Sequence, residues 1–230
     1  MPKKRSGLSR IASKTSNVAN TFLYAFKSTL LTAVCFCCFK PCTQAQKLNL
    51  DQRVLVNLME NRSHGQTKIM RGISDYTQEM SFLVPATVAV IGLIDNNKTT
   101  LQKSLYLAES AAAATFITYG MKYSFRRSRP YMKIDGLSAA GTGNSPSFPS
   151  GHTSVAFSTA TSLYLAYPKW YVAVPAFTYA ASVGYSRMYL GVHYPSDVLA
   201  GAVIGAGSAW LMYKANKWLF KKKPKTALAN

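Results

Sequence analysis

Long apolar segments separated by short polar turns dominate the chain from residue 82 onward. Apolar runs of this length favour helices, because strands are usually only about four to eight residues long. The pattern predicts five apolar helices, at 82–94, 105–121, 153–167, 171–183 and 198–213. A short amphipathic helix is expected before them, where apolar residues recur at helical spacing (Val54, Leu55, Leu58 and Met59). We therefore expect an all-α bundle of five to six helices.

The segment 125–149 interrupts this pattern, because Gly, Ser and Pro are frequent in it and no apolar period is present. Such a composition is typical of a loop. We expect a long loop between the second and third apolar helices.

The two ends of the chain differ in composition from its middle. Residues 1–45 combine a basic stretch, an apolar run at 28–39 and the small-residue site Thr43-Gln44-Ala45. This order is typical of a secretory signal peptide, and an uncleaved first membrane helix is the alternative. We expect three regions: 1–45 as signal peptide or first membrane helix with a basic N-terminus, 46–218 as a helical domain, and 219–230 as a basic tail.

Two features of the apolar segments bear in opposite directions on whether they cross a membrane. A spanning helix needs about 20 apolar residues, whereas 82–94 is shorter and 105–121 contains Glu109. Against this, Lys98, Lys103, Lys169 and the basic tail all fall on one side if every segment spans. The opposite side also carries basic residues, so the positive-inside bias is moderate. We expect a membrane-embedded bundle, with a soluble exported bundle as the alternative.

The charge of the chain is strongly positive, with 27 Lys+Arg against 8 Asp+Glu and a formal net charge of +19. Such a charge suits nucleic acid, a membrane surface or an anionic substrate. The basic residues concentrate at the two ends, beside apolar segments, which favours membrane orientation over a nucleic-acid groove. All four cysteines lie within 35–42, so removal of that segment leaves no thiol for a disulfide or a Cys-based zinc site.

Polar clusters lie at the ends of the apolar segments, and the first runs from Lys122 to Pro130. Lys122 and Arg129 are two helical turns apart and share a face if the helix continues, and Arg126 then lies on that face too. Pro130 biases Arg129 out of the helix. Clustered cations favour a phosphate among them, and a basic helix end flanking a membrane is the alternative.

The second cluster, Phe148-Pro149-Ser150-Gly151-His152, opens the third apolar helix. Ser150 can cap this helix, and Gly151 lets the backbone approach a ligand closely. Free N–H groups at a helix start make an anion site, and His152 then lies beside the anion. A capped helix with a solvated histidine is the alternative.

The third cluster contains Ser186, Arg187, His193 and Asp197. Pro195 suits the first position of a helix, so Asp197 falls in its first turn and can reach back towards His193. A carboxylate on one imidazole nitrogen fixes the tautomer and leaves the other nitrogen as a nucleophile or base. An Asp that only serves the helix dipole is the alternative.

Together the three clusters read Lys-x6-Arg-Pro, Pro-Ser-Gly-His and Ser-Arg-x5-His-x3-Asp, in that order. This series resembles the phosphatidic acid phosphatase type 2 superfamily, which includes lipid phosphate phosphatases, bacterial acid phosphatases and vanadium haloperoxidases. The resemblance covers about 101–213 and is carried by all three motifs.

The resemblance implies a role for each matched residue. His193 is expected to attack phosphorus and form a phosphohistidine, Asp197 to orient it, and His152 to protonate the leaving group. The phosphate oxygens are expected to be bound by the remaining motif residues, namely Lys122, Arg129, Ser150, Gly151 and Arg187. Arg126 is a weaker candidate that comes from the residue spacing alone. No metal and no cofactor are expected, because cations and a helix N-terminus already neutralise the transition state.

The function expected from these observations is hydrolysis of a phosphate monoester or diphosphate of a membrane lipid. The candidate substrates are phosphatidate, phosphatidylglycerol phosphate, undecaprenyl diphosphate and lipid A. We expect a bacterial inner-membrane protein whose active site faces the periplasm, with a phospholipid or isoprenoid phosphate as partner and no nucleic acid. The alternatives are a soluble periplasmic acid phosphatase of broad specificity, a vanadate-dependent haloperoxidase, and a non-enzymatic binder of anionic lipid or nucleic acid.

Overall fold

The computed structural model of the protein describes residues 49–141 and 143–221. The signal peptide or first membrane helix expected at 1–45 lies outside the described residues, as does most of the basic tail expected at 219–230.

Within the described ranges the fold consists of seven α-helices and contains no β-strand, which confirms the all-α prediction. The helices are α1 (Leu50–Glu60), α2 (His64–Asp75), α3 (Thr77–Ile94), α4 (Lys98–Phe125), α5 (Gly151–Ala166), α6 (Trp170–Tyr189) and α7 (Pro195–Lys221). Each of the five predicted apolar segments is the core of one helix from α3 to α7. The amphipathic helix predicted before them is α1. In the described part of the predicted loop, the one helical element between α4 and α5 is a short 3-10 turn, Pro130–Met132.

One helix, α2, was not predicted, because its sequence is polar and contains no apolar run. It begins after Ser63, whose hydroxyl accepts a hydrogen bond from the backbone N–H of Gln66 and so caps the first turn. The helix then packs against α6. Tertiary contacts of this kind stabilise a helix whose own sequence gives a weak signal.

Helix α5 lies in the centre of the bundle and packs against α4, α6 and α7. Its contact with α7 is close, as the GxxxG spacing of Gly201 and Gly205 allows. A Cβ atom at Gly201 would lie 2.6 Å from the Ser150 carbonyl oxygen, and one at Gly205 would lie 2.1 Å from the Ser154 carbonyl oxygen. Only glycine therefore fits at these two positions, and they set the distance between α5 and α7.

The outer surface of the bundle carries many large apolar side chains. Two helices, α3 and α7, contain stretches (Thr77–Ile94 and Pro195–Leu219) that are long and apolar enough to cross a bilayer. Phe82 of α3 is 79% exposed and Val203 of α7 is 72% exposed. Glu109, the charge that interrupts α4, is not left alone, because the amide of Asn216 on α7 donates to its carboxylate at 3.0 Å.

Candidate active site

The polar residues singled out in the sequence gather at one end of the bundle. The C-terminal ends of α4 and α6 meet there with the N-terminal ends of α5 and α7, and the loop that follows α4 closes over them. A cavity of about 860 Å³ opens at this end. Six of the predicted site residues line it: Lys122, Arg129, Gly151, His152, Arg187 and His193.

Three of these residues are cations that are almost completely removed from solvent. Lys122 donates to the Pro146 carbonyl oxygen at 2.5 Å, and Arg129 donates to the carbonyl oxygens of Ser145 at 2.9 Å and Val192 at 3.0 Å. Burial lowers the pKa of Arg129 from its usual value, since the charged form loses its hydration. Three buried cations around one cavity repel each other, and a bound anion relieves that repulsion.

The guanidinium group of Arg187 has one buried N–H donor, at Nε, without a hydrogen-bond partner among the described residues. Its Nη1, in contrast, donates to the hydroxyl of Ser74 on α2. A buried donor without a partner is costly, by about 1–3 kcal/mol. An anion in the cavity that Arg187 lines can satisfy this donor.

The N-terminus of α5 supplies further donors. The first N–H groups of a helix have no partner within it, so those of Gly151 and His152, both of which line the cavity, are available to an anion. Ser150 is the N-cap residue, as expected, but its hydroxyl is bonded to that of Thr153 at 2.9 Å and does not cap a backbone N–H. The Ser150 side chain does not line the cavity, which differs from its expected place among the phosphate ligands.

His193 and Asp197 form the pair that their spacing predicts. The His193 Nδ1 lies 3.6 Å from the Asp197 Oδ2, and both side chains are buried. The hydroxyl of Ser147 and the backbone N–H of Tyr194, at 2.9 Å, donate to the same carboxylate oxygen. Burial lowers the pKa of His193 to about 3, although the Asp197 carboxylate opposes this effect. The imidazole is therefore neutral near pH 7, and its Nε2 is available as a nucleophile.

Arg126 does not join the other cations, in contrast to the expectation that it shares a face with Lys122 and Arg129. Helix α4 ends at Phe125, and Arg126 adopts a left-handed backbone with φ 48° and ψ 36°. Its exposed side chain turns back, and Nε donates to the Tyr123 carbonyl oxygen at 3.0 Å. The shared-face argument fails here because it extends the helical period past the end of the helix.

Comparison with known sequences bears on this arrangement. The sequence model of the PAP2 superfamily matches residues 103–221, which is slightly more than half of the chain. The chain belongs to the PAP2 superfamily.

Individual relatives match over shorter stretches. A protein of Porphyromonas gingivalis described as a lipid A 1-phosphatase is 40% identical over 44% of this chain and 21% of its own length. A protein of Escherichia coli described as a putative undecaprenyl-diphosphatase is 31% identical over 50% of this chain and 61% of its own length. The chain thus spans less than two thirds of either relative.

A solved PAP2 structure has the same fold. It is a transmembrane phosphatidylglycerolphosphate phosphatase of the PAP2 type from Bacillus subtilis, with a TM-score of 0.62 and 22% sequence identity. The match covers 76% of this chain and 87% of that one. At this identity the similarity shows the fold alone.

Three contacts of the PAP2 site were not found from the sequence. Ser147 and Arg127 contact Asp197, and Ser74 contacts Arg187. Ser147 stands two residues before Pro149 and could have been noticed from its position beside the second motif. Ser74 is in α2, outside the part that the superfamily model matches, and no local pattern links it to Arg187.

The cavity also continues beyond the cations as an apolar groove between α3 and α4. On α4 its lining extends from Lys122 back to Ala108, which corresponds to about 20 Å along the helix axis. The groove walls also include polar residues, Gln78, Ser81 and Thr115 among them, but most of the lining is small or apolar: Phe82, Pro85, Ala108, Ala111, Ala112 and Val155. The candidate site is therefore the charged end of a mostly apolar groove.

Proposed function

We propose that this protein is a phosphatase of membrane lipids that works through a phosphohistidine. The observation that carries the proposal is the junction between the charged cavity and the apolar groove. Lys122, Arg129 and Arg187 can bind a phosphate group at one end, and the α3–α4 groove can accommodate a hydrocarbon chain at the other. A small soluble phosphate ester needs only the first of these two parts.

The proposed reaction has two steps. In the first, the neutral His193 Nε2 attacks phosphorus and the bond from phosphorus to the leaving oxygen breaks. His152 carries a proton that the negative charge of the bound phosphate stabilises, and it gives that proton to the leaving oxygen. In the second, His152 takes a proton from water, the water oxygen attacks phosphorus, and the P–N bond breaks to release inorganic phosphate. The net change is hydrolysis of one phosphate ester or anhydride bond.

The three cations and the N-terminus of α5 stabilise the charge that develops on the phosphate oxygens in both steps. Fixed donors in a site that excludes water are worth more than the same donors in water. Because these groups supply the positive charge, the proposed mechanism requires no metal ion.

The proposed setting is a bacterial inner membrane with the site at the periplasmic side. The apolar outer surface and the spanning lengths of α3 and α7 support membrane embedding. Lys98, the first residue of α4, and Lys169, in the turn between α5 and α6, lie at the opposite end of the bundle from the site, which supports a cytoplasmic location for that end. The relatives described as acting on lipid A or undecaprenyl diphosphate support substrates of that class.

The proposal is tested by phosphate release from purified full-length protein. The panel contains a lipid A phosphate, undecaprenyl diphosphate, phosphatidylglycerol phosphate, phosphatidate and soluble p-nitrophenyl phosphate. We expect release from at least one lipid, unchanged by EDTA and abolished in His193→Ala. Complete loss in EDTA that magnesium restores would overturn the metal-independent mechanism.

Two matched variants test the groove. Ala112 lines the groove on α4, whereas Ala86 is an exposed alanine of α3 that does not line it. Ala112→Phe should lower kcat/KM for the lipid by about 10-fold or more and leave p-nitrophenyl phosphate hydrolysis intact, whereas Ala86→Phe should affect neither. Equal loss with both substrates in Ala112→Phe, or extraction of the protein by carbonate, would favour a soluble phosphatase.

A further inference from the structure

The buried carboxylate of Asp197 has a charged partner that the three motifs do not contain. Its Oδ1 accepts a hydrogen bond from Nη1 of Arg127 at 2.6 Å, while its Oδ2 faces His193. Asp197 is completely buried, and a carboxylate in that position is costly without a compensating cation. The neutral imidazole of His193 supplies no positive charge, so Arg127 supplies it.

Arg127 is itself held on three sides. Its Nη2 donates to Asp51 of α1 at 3.0 Å, and its Nη1 also donates to the Ser196 hydroxyl at 2.7 Å. Its guanidinium carbon lies 3.9 Å from the centre of the Tyr194 ring, within the range of a cation–π contact. These contacts fix the plane of the guanidinium group, and therefore the position of the carboxylate that it binds.

The backbone of Arg127 reaches the same carboxylate by a second route. Its carbonyl oxygen accepts from the N–H of Ser147 at 2.7 Å, and the Ser147 hydroxyl donates to Asp197. Asp51 completes the arrangement from the other side, since it accepts from the N–H of Ser196 at 3.1 Å in the first turn of α7. Arg127 thus contacts Oδ1 through its side chain and is linked to Oδ2 through its carbonyl oxygen and Ser147, while the N–H of Tyr194 also donates to Oδ2.

We propose that Arg127 is a positioning residue of the phosphatase reaction, which holds Asp197 charged and in place behind His193, and that Asp51 of α1 anchors it. The inference rests on the proposed function. Arg127 does not line the cavity, so it has no contact with a phosphate bound there. It acts on the chemical step through Asp197 and leaves substrate binding unchanged.

The test compares kcat, KM and inhibition by vanadate in Arg127→Met, Arg127→Lys and Asp51→Asn. Arg127→Met should lower kcat by about 100-fold, the size of effect that a small displacement of a catalytic group causes, with KM and the vanadate inhibition constant within about twofold. Arg127→Lys should recover part of kcat, because an ammonium group keeps the positive charge but lacks the planar, rigid fork of donors of a guanidinium group. Lys133→Met is the matched control, since Lys133 is an exposed cation of the same loop, and it should behave as wild type.

A double-variant cycle separates action through Asp197 from a general structural role. If Arg127 acts only through Asp197, Arg127→Met should lower kcat no further in an Asp197→Asn background. Full additivity, a wild-type kcat in Arg127→Met, or a large rise in its KM would each overturn the proposal. If Arg127→Met does not fold, Arg127→Lys and Asp51→Asn decide it by the same criteria. Absence of phosphate release by the wild-type protein would instead refute the proposed function.

Discussion

The two histidines of the site line the same cavity but differ in their neighbours. His193 has the Asp197 carboxylate behind its Nδ1, and both side chains of this pair are buried. No carboxylate contacts His152 among the described residues, and it lies in the first turn of α5 beside the free helix donors. The first arrangement suits a nucleophile, and the second suits a proton donor beside a bound phosphate.

Substitution of each histidine should therefore have a different consequence. His193→Ala should abolish both turnover and the trapping of labelled phosphate on the protein. His152→Ala should slow lipid substrates strongly but affect p-nitrophenyl phosphate less, because p-nitrophenolate leaves without a proton. Asp197→Asn should keep the fold and lose activity by about 10⁴-fold, as expected for a misoriented imidazole.

Labelling by acid-quenched radioactive phosphate, followed by peptide mapping, checks these expectations. Label on His152 in the His193→Ala protein would reverse the two roles. Thermal unfolding of each variant serves as the control, since all three should remain folded.

At the level of the helices, the close contact between α5 and α7 determines how the two histidine-bearing segments meet. The backbone N–H of Ser150 donates to the Asp197 carbonyl oxygen at 3.0 Å, so the starts of the two helices are joined directly. This contact depends on the absence of side chains at Gly201 and Gly205, where the α5 backbone approaches α7.

Gly205→Ala should lower the free energy of unfolding by roughly 1–3 kcal/mol, the usual cost of overpacking. The added methyl group would lie 2.1 Å from the Ser154 carbonyl oxygen, which belongs to the backbone and cannot rotate away. Gly207→Ala is the matched control, since nothing lies within 4 Å of a Cβ there and alanine is the better helix former. The midpoint of thermal unfolding in detergent measures both, and an equal midpoint for the two variants would contradict the packing argument.

The apolar helices could be predicted from the sequence, but some of their ends could not. An apolar run marks the buried middle of a helix, whereas α6 continues past residue 183 to Tyr189 through the polar Ser186 and Arg187. That last turn is stabilised by the contact of Arg187 with Ser74 of α2, a partner more than a hundred residues away. Contacts over such distances leave no period in the sequence.

The candidate site was largely predictable because most of its residues lie in local sequence patterns. Its residues are concentrated in three short motifs, and the structure brings Lys122, Arg129, His152, Arg187 and His193 to one cavity. The exceptions are those whose place depends on local backbone geometry or on distant partners. Arg126 and Arg127 are neighbours in one basic run, but α4 ends with a left-handed turn at Arg126, and Arg127 is the one that contacts Asp197.

For the molecule as a whole, the site and the turn that joins α5 to α6 lie at opposite ends of the bundle. Helix α5 begins beside the cavity and ends at Ala166, so the exposed Lys169 is one helix length away from the site. Ser138, which is also exposed, lies in the loop that covers the site. If the bundle spans a membrane, these two positions face different compartments.

Cysteine labelling measures this orientation. In a background with the native cysteines at 35–42 replaced, Ser138→Cys should react with an impermeant maleimide in intact cells. Lys169→Cys should react only after permeabilisation. Labelling of both positions from outside would remove the spanning arrangement, and an inverted pattern would place the site in the cytoplasm.

The first two helices contact two arginines of the candidate site, although both helices lie outside the part that the superfamily model matches. Asp51 binds Arg127, Ser74 binds Arg187, and both partners precede residue 103, where the match to the superfamily begins. A fragment cut at that boundary would retain every motif but lose one partner of each of these two arginines, Asp51 for Arg127 and Ser74 for Arg187. Under the proposed function, the sequence signature contains the residues that make and break bonds, whereas the part that would have to be transplanted includes α1 and α2 as well.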